Sequence, residues 1–259
     1  MSNREVMEYD VVVVGAGPSG LSAAIKLKQL SKKNNKELSV CVIEKGSEVG
    51  AHIVSGAVIE TKALDELIPD WSEKNCPLKT KAKNDKFLYL TEAKSYQLPT
   101  PPQMHNKGNY IVSLSDFSKW LAEQAEALEV EIYPGFSASE VLFNDKNKVI
   151  GVATCDMGRL KDGSEGPNFE QGIELHAKQT IFSEGCRGHL GKEVINKFKL
   201  SENKSPQQYG IGFKEIWEIP EKEHDEGMVM HTAGWPLDNS TYGGSFCYHA
   251  EKNQVFIGY

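Results

Sequence analysis

The chain has no run of apolar residues approaching the roughly 18 that a membrane-crossing helix requires. It also lacks any CxxC pair. Its five cysteines, Cys41, Cys76, Cys155, Cys186 and Cys247, lie far apart, a pattern that suggests neither a metal or iron–sulfur ligand set, nor a secreted disulfide frame, nor a dithiol reductase. Basic residues are in deficit: 29 Lys and Arg against 36 Asp and Glu leave a formal net charge of −7. General nucleic-acid binding, which needs a broad basic surface, is therefore not expected. The opening residues, MSNREVMEYD, are polar and run straight into a strand-like segment, without the pattern of a signal or transit peptide. That reading places the protein in the cytoplasm or on a bacterial membrane face reached from it. No internal repeat or low-complexity tract is present. The seven histidines, His52, His105, His176, His189, His224, His231 and His249, are scattered and form no Ser/His/Asp or His/Glu constellation.

What is there suits an α/β protein. The 259 residues, 39% hydrophobic and 25% charged with 23 glycines, can bury a sizeable core and hold more than one structural unit. Asp10 to Val14 reads as a buried parallel strand, followed by the turn GAGPSG and a helix from about Ser19 to Leu30. SKKNNKEL is a solvated loop, and Ser39 to Glu44 a second parallel strand. GAHIVSGAVI is too glycine-rich for a regular element. Residues 63–85 read as an excursion. Ser115 is a candidate N-cap for a helix from Asp116 to Leu128, and Val130 to Tyr133 returns to the sheet. Ala138 to Phe143 and Val149 to Asp156 predict an antiparallel hairpin. After a loop rich in Gly, Asp and Ser, Gly172 to Ala177 predicts a third strand, and Gln179 to Phe182 leads into SEGCRG. YGIGFKEIW and GGSFCYH suggest the start of a second sheet.

The turn after the first strand carries a dinucleotide fingerprint. Gly15 permits the tight turn, Gly17 lets backbone approach a pyrophosphate, and Gly20 allows close helix–strand packing. Between and beside them stand Val14, Ala16, Pro18 and Ser19, and the helix start offers unpaired N–H groups and a positive dipole to phosphates. Glu44, ending the second strand and followed by Lys45, can accept hydrogen bonds from ribose hydroxyls and disfavours a 2′-phosphate. Strand, helix and acid arrive in the required order.

The remainder favours FAD over a nicotinamide cofactor. A nicotinamide dehydrogenase usually continues with further βα units, whereas this chain returns through a β-meander and then offers Glu184 and Gly185 after a late strand. That order is similar to the second signature of FAD-dependent reductases and hydroxylases. The usual acid there is aspartate, so Glu184 is a departure; an ordinary strand-to-helix turn is the alternative for the pair. No second GxGxxG appears, so no separate nicotinamide-binding Rossmann domain is expected. The fold class expected is α/β: a FAD-binding, Rossmann-like domain of the glutathione-reductase type with a β-meander, plus the start of an antiparallel-sheet substrate domain.

Longer motifs go further. VVVVGAGPSGLSAAIKLKQL, EKGSEVGAHIVSGA, HNKGNYIVSLSDFSKWLAEQAEALEVEIYPGF, ELHAKQTIFSEGCRGHLGK, YGIGFKE and GWPLDNSTYGGSFCYH resemble the electron-transfer flavoprotein:ubiquinone oxidoreductase family along nearly the whole chain. The resemblance implies an enzyme that takes electrons from reduced electron-transfer flavoprotein and passes them to ubiquinone, carrying FAD and one 4Fe-4S cluster. It implies that Val11 to Ile25 bind FAD. It also implies that Gly50, Ala51, His52, Ser55 and Gly56 belong to a glycine-rich stretch near the flavin. The Val141 backbone would meet the adenine. Gly243 and Gly244 match a glycine pair associated with the quinone, where missing side chains leave N–H groups open to a carbonyl; a β-bulge or turn is the alternative. The cluster cysteines of the family lie near its C-terminus in a CxxCxxC core that this chain does not contain.

Four segments follow: 1–86, the FAD-binding βαβ and flavin stretch; 87–106, a membrane-contact excursion; 107–200, the rest of the FAD domain; 201–259, the beginning of a quinone-binding domain. In the second, Phe87, Leu88, Tyr89, Leu90, Leu98 and Met104 offer apolar anchors to a membrane surface. Lys74, Lys79, Lys81, Lys83 and Lys86 just before it offer charge for anionic lipid, or else form a solvated loop. The resemblance implies a peripheral or monotopic protein on the cytoplasmic face of a bacterial inner membrane, or the matrix face of the mitochondrial one. NQVFIGY is read as an apolar strand left unpaired by truncation. Two other functions stay open: a related FAD-dependent reductase of the geranylgeranyl reductase type, and a non-catalytic nucleotide-binding module.

Overall fold

The structure, a computed structural model, describes residues 4–238 and 240–259. The chain runs β1 (Val6–Val14), α1 (Pro18–Lys33), β2 (Val40–Glu44), β3 (Gly56–Ile59), α2 (Lys62–Leu67), β4 (Thr80–Lys81), β5 (Asn84–Leu90), β6 (Ser95–Leu98), β7 (Tyr110–Ser113) and α3 (Leu114–Glu126). It continues through β8 (Glu131–Pro134), β9 (Ala138–Phe143), β10 (Val149–Thr154), β11 (Met157–Arg159), β12 (Glu165–Glu170) and β13 (Glu174–Phe182). Last come α4 (His189–Lys197), β14 (Lys214–Glu218), β15 (Met228–Gly234), β16 (Ser245–His249) and β17 (Gln254–Gly258). These elements fall into two units. One takes in the described residues up to His52 together with Ser118–Gln207; the other comprises Ile53–Phe117 and Gln208–Tyr259.

The first unit is built on a six-stranded sheet in the order β8-β2-β1-β13-β10-β9. Its first four strands are parallel, and β10 and β9 complete it antiparallel. Val11 to Val14 are buried without alternation, as a strand covered on both faces requires. Val12, Val14, Cys41, Ile43, Val141, Val152, Leu175 and Leu190 form one core cluster. Helix α1 buries Leu21, Ala24, Ile25 and the stem of Lys28 along one stripe. Leu21 and Ile25 each contribute about 1.5–3 kcal/mol by leaving water.

Three expectations are corrected here. α1 continues to Lys33, past Leu30, with Lys32 and Lys33 in its last turn where cations favour the dipole. The segment expected as Gly172 to Ala177 and a separate Gln179 to Phe182 is one nine-residue strand, β13, because it pairs with β1 from Val6↔Glu174 to Val14↔Phe182. The loop before it contains a two-stranded ribbon, β11 with β12, stiffened by Arg159, which bonds Asp156 and lies over the Phe169 ring.

The second unit holds a six-stranded sheet, β14-β17-β16-β15-β5-β6, and a three-stranded one, β3-β7-β4. Its core gathers Ala82, Ile111, Val229, Ala250 and Phe256. The second sheet expected from YGIGFKEIW and GGSFCYH is present as β14 and β16. Three other readings need correction. Gly56–Ile59 is a regular strand despite its glycine, because it pairs with β7 from Gly56↔Ser113 to Ile59↔Tyr110. NQVFIGY is not an unpaired edge: β17 lies between β14 and β16 and buries Val255 and Phe256. α3 begins at Leu114, so Ser115 lies inside it. Ser113 caps the turn instead, its Oγ accepting from the Asp116 N–H at 3.3 Å.

Candidate dinucleotide site and a glycine-lined cavity

In the first unit the three glycines of the fingerprint divide their work as steric reasoning predicts. Gly15 has φ +105°, and a Cβ there would stand 2.6 Å from the Ser183 carbonyl oxygen. A Cβ on Gly20 would stand 2.1 Å from the Gly15 carbonyl oxygen and 3.1 Å from Val13 Cγ1. Gly17 has nothing within 4 Å of its Cβ position. Two glycines are thus demanded by packing, whereas the third leaves room for a ligand.

Gly17 is also the N-cap of α1, with no side-chain cap and no acid in the first turn; Pro18 takes the position where a missing N–H is harmless. The first turn of the helix therefore brings no acid of its own to the dipole and N–H groups at this end.

Glu44, half-buried at the end of β2, accepts from the Ala16 N–H at 3.0 Å and the Gly46 N–H at 2.7 Å. These bonds hold the fingerprint turn against β2. They leave further acceptor capacity on the carboxylate for hydroxyl donors. Ser183, which the sequence offers with Glu184 and Gly185 after the late strand, closes the floor: its N–H donates to the Val14 carbonyl at 2.8 Å. It directly follows β13, the strand that pairs with β1.

The remaining sequence-predicted residues are placed as follows. Lys45, Ser19, Ala51 and His52 are exposed, and Gly50 is buried with φ +87°. Val141 has its side chain in the core, on β9 at the outer edge of the sheet. Gly185 is exposed, with φ +79° and open space around its Cβ position. The Glu184 carboxylate turns to α4, accepting from the N–H groups of Leu190 at 3.2 Å and Gly191 at 2.6 Å. Glu184 therefore caps a helix.

Ser55 and Gly56 belong to the second unit. Ser55 Oγ donates to the Gly56 carbonyl at 3.0 Å and accepts from Lys214 Nζ at 3.0 Å. A Cβ on Gly56 would fall 2.1 Å from Phe256 Cγ, so packing alone forbids a side chain there. Of the pair Gly243 and Gly244, the first is exposed. The second has its Cβ position 2.1 Å from the Thr232 carbonyl oxygen.

Gly244 lines an open surface pocket of about 280 Å³ with residues 210–214, Phe246, Gly258 and Tyr259, Ile211 and Phe213 being largely exposed. Sequence reasoning missed this cavity, though the alternating glycines of YGIGFKE pointed to it. Near it, Tyr248 is pushed up to about 12 by burial and contacts His231 Nε2 at 2.9 Å. Burial in turn holds His231 below the ordinary histidine value.

A sheet with a parallel β8-β2-β1-β13 core, an open glycine turn and an uncapped helix N-terminus defines a Rossmann-like α/β fold. Solved structures share it. A geranylgeranyl bacteriochlorophyll reductase-like protein from Thermoplasma acidophilum aligns over 98% of this chain and 56% of its own, with a TM-score of 0.64 at 16% identity. CtdE in complex with FAD aligns over 97% and 58%, with a TM-score of 0.60 at 15% identity.

The particular relationship lies in the sequence: the chain is a homologue of a stretch of the electron transfer flavoprotein-ubiquinone oxidoreductases. It is 58% identical over 255 residues to the mitochondrial protein of Dictyostelium discoideum, covering 98% of this chain and 42% of that one. The probable enzyme of Acinetobacter baylyi gives 55% over 261 residues (98% and 46%), and the mitochondrial protein of Bos taurus 53% over 258 (98% and 42%). The chain thus spans less than half the length of these relatives. A family model described as ETF-QO, ubiquinone-binding, matches residues 209–259, and one described as the Thi4 family matches residues 2–66. No helix among the described residues is long and apolar enough to cross a membrane.

Proposed function

We propose that this chain is the FAD-binding and quinone-binding part of an electron-transferring-flavoprotein dehydrogenase, which moves electrons from reduced electron-transfer flavoprotein to ubiquinone. The observation that carries the reading is identity of 53–58% to such enzymes across 98% of the chain. The open turn at Gly17 supports it.

The residues present fit FAD. Backbone at Gly15 to Gly20 and the start of α1 would hold the pyrophosphate, Glu44 the ribose and the Val141 backbone the adenine. Gly185 and the stretch from Gly50 to His52 would lie along the rest of the cofactor. When bound, FAD supplies the redox chemistry. The chain's own part is to orient it through backbone donors, and to receive the quinone carbonyl at Gly243 and Gly244. On this reading residues 1–86 and 107–200 serve FAD, and residues 201–259 begin the quinone-binding part.

The cysteines do not fit a 4Fe-4S cluster: Cys41 and Cys76 are buried, Cys155 and Cys186 exposed, and all five are free. Among the described residues no group of metal-binding side chains gathers. A cluster would need cysteines from sequence beyond this chain, and no step is assigned to it here.

Membrane contact at residues 87–106 draws support from exposed Tyr89, Tyr96 and Leu98 on the outer β5–β6 hairpin, with exposed Lys79 and Lys83 earlier in the chain. Lys74 is paired with Asp70 at 3.1 Å and contributes less. The location proposed is the cytoplasmic face of a bacterial inner membrane, or the matrix face of the mitochondrial one.

The complete protein, once purified, is expected to show flavin absorption and to reduce a short-chain ubiquinone when supplied with reduced electron-transfer flavoprotein. Protein that is colourless and takes up no added FAD would overturn the cofactor assignment. Flavin-loaded protein that is inert to this donor but saturates an isoprenoid double bond would replace the reading with that of the related reductase. On vesicles containing phosphatidylserine, Lys79→Gln with Lys83→Gln should weaken binding, each lysine contributing about 1 kcal/mol. Equal binding to neutral vesicles would remove the electrostatic part of the membrane reading.

A further inference from the structure

We propose that Lys214 binds one of the two carbonyl oxygens of the quinone head, the one not held at Gly243 and Gly244, in the pocket of the second unit. The inference rests on the quinone reading above and extends it to a residue that no motif singled out. The named lining residues all lie within 209–259, the segment matching the ubiquinone-binding family model.

The cavity is shaped by backbone. Gly244 is pressed to the Thr232 carbonyl, and a Cβ on Gly258 would stand 2.1 Å from Phe246 Cε1. Ile211, Phe213 and Phe246 supply apolar side chains, and Lys214 is the one charged side chain of the lining. An apolar site with a few placed polar groups is the usual form of a specific small-molecule pocket.

The chemistry of the two partners is complementary. A quinone carbonyl only accepts hydrogen bonds, whereas a lysine ammonium only donates, with three protons. One of those protons goes to Ser55 Oγ at 3.0 Å. The Ser55 hydroxyl proton is directed to the Gly56 carbonyl, which leaves its lone pairs for the ammonium. The backbone of Lys214 is fixed at the same time, since it pairs with Gly258 in the ladder between β14 and β17. Anchored at both ends, the ammonium keeps donor capacity for a ligand oxygen, and its charge favours an oxygen that gains negative charge on reduction. Lys214 acts by hydrogen bonding alone; no bond to it forms or breaks.

The test uses the complete flavin-loaded protein and calorimetric titration with ubiquinone-1, alongside 1-methyl-2-prenylbenzene as an oxygen-free analogue. Lys214→Met is expected to weaken ubiquinone-1 binding about tenfold, the loss of one charge-assisted hydrogen bond. Binding of the analogue and the flavin absorption should be unchanged, and Lys214→Arg should recover part of the affinity. Unchanged ubiquinone-1 binding in Lys214→Met would overturn the proposal, as would an equal loss for both compounds, which would mark a packing effect. If Lys214→Met does not fold, Lys214→Leu, which likewise removes the donor, is judged by the same two criteria. Wild-type protein that fails to bind ubiquinone-1 would sink the quinone reading itself, whereas normal wild-type binding with an indifferent variant would sink Lys214 alone.

Discussion

Gly17→Ala is expected to leave the stability of the first unit nearly unchanged while weakening FAD binding roughly tenfold to a hundredfold. Gly20→Ala is expected to do the reverse at first, destabilising the fold by about 3 kcal/mol. The contrast follows from what each new methyl group would meet. At Gly17 it meets nothing within 4 Å, and the backbone there is extended, with φ −77° and ψ 174°, so alanine fits without strain. The methyl would instead occupy the space into which the pyrophosphate is proposed to settle, and losing one hydrogen bond to a charged group accounts for a loss of that size. At Gly20 the methyl would meet the Gly15 carbonyl oxygen at 2.1 Å, with Val13 and Ser183 side chains also close. A backbone oxygen inside the fingerprint turn cannot swing aside, so α1 must lift off the sheet, and overpacking of this kind costs about 1–3 kcal/mol. Urea unfolding and FAD titration of both variants separate the effects. Equal losses in both measurements for both variants would show that the glycines are not divided between ligand and packing.

The second large effect belongs to the other unit. Phe256→Ala is expected to destabilise it by about 3–5 kcal/mol, the range for deleting a buried aromatic ring. Phe256 is only 2% exposed on the interior strand β17. Its ring occupies the place of a side chain on Gly56, with Cγ, Cδ2 and Cβ all within 2.3 Å of that Cβ position. The two positions should therefore be coupled with a definite sign. Gly56→Ala alone drives a methyl into the ring and destabilises; in the Phe256→Ala background the ring atoms at 2.1 and 2.2 Å are gone, and the Cβ that remains at 2.3 Å can shift into the vacated space, which eases the clash. The double variant should be more stable than the sum of the single effects by at least about 1 kcal/mol, within the range for residues in contact. Additive effects would mean that the ring gives way and that the close approach does not constrain Gly56. Tryptophan fluorescence suits the measurement, because Trp71, Trp217 and Trp235 lie in the second unit and Trp120 in the first.

The sequence by itself determined the dinucleotide turn. Strand, glycine turn, helix and terminal acid are contiguous, and each constraint on Gly15, Gly17 and Gly20 acts over a few residues, so composition and spacing reveal it. The hairpin of β9 and β10 was legible for the same reason, with a short polar turn between two apolar runs. Long motifs also carried the family, because 53–58% identity preserves whole phrases.

Local pattern could not say which strands lie side by side. The β5 strand, residues 84–90, runs parallel to β15, residues 228–234, and nothing in either segment names the other. The final strand looked like a loose edge because its partners β14 and β16 are separated from it by intervening chain. Ser115 looked like a cap because its type was right, whereas pairing of β7 with β3 set the point at which the helix could begin. Glu184 looked like a ligand for the cofactor until α4 folded back onto it. The bond between Lys214 and Ser55 spans 159 positions. Sequence records local stereochemistry directly, but a contact between distant segments exists only once the sheets have formed and chosen what lies beside what.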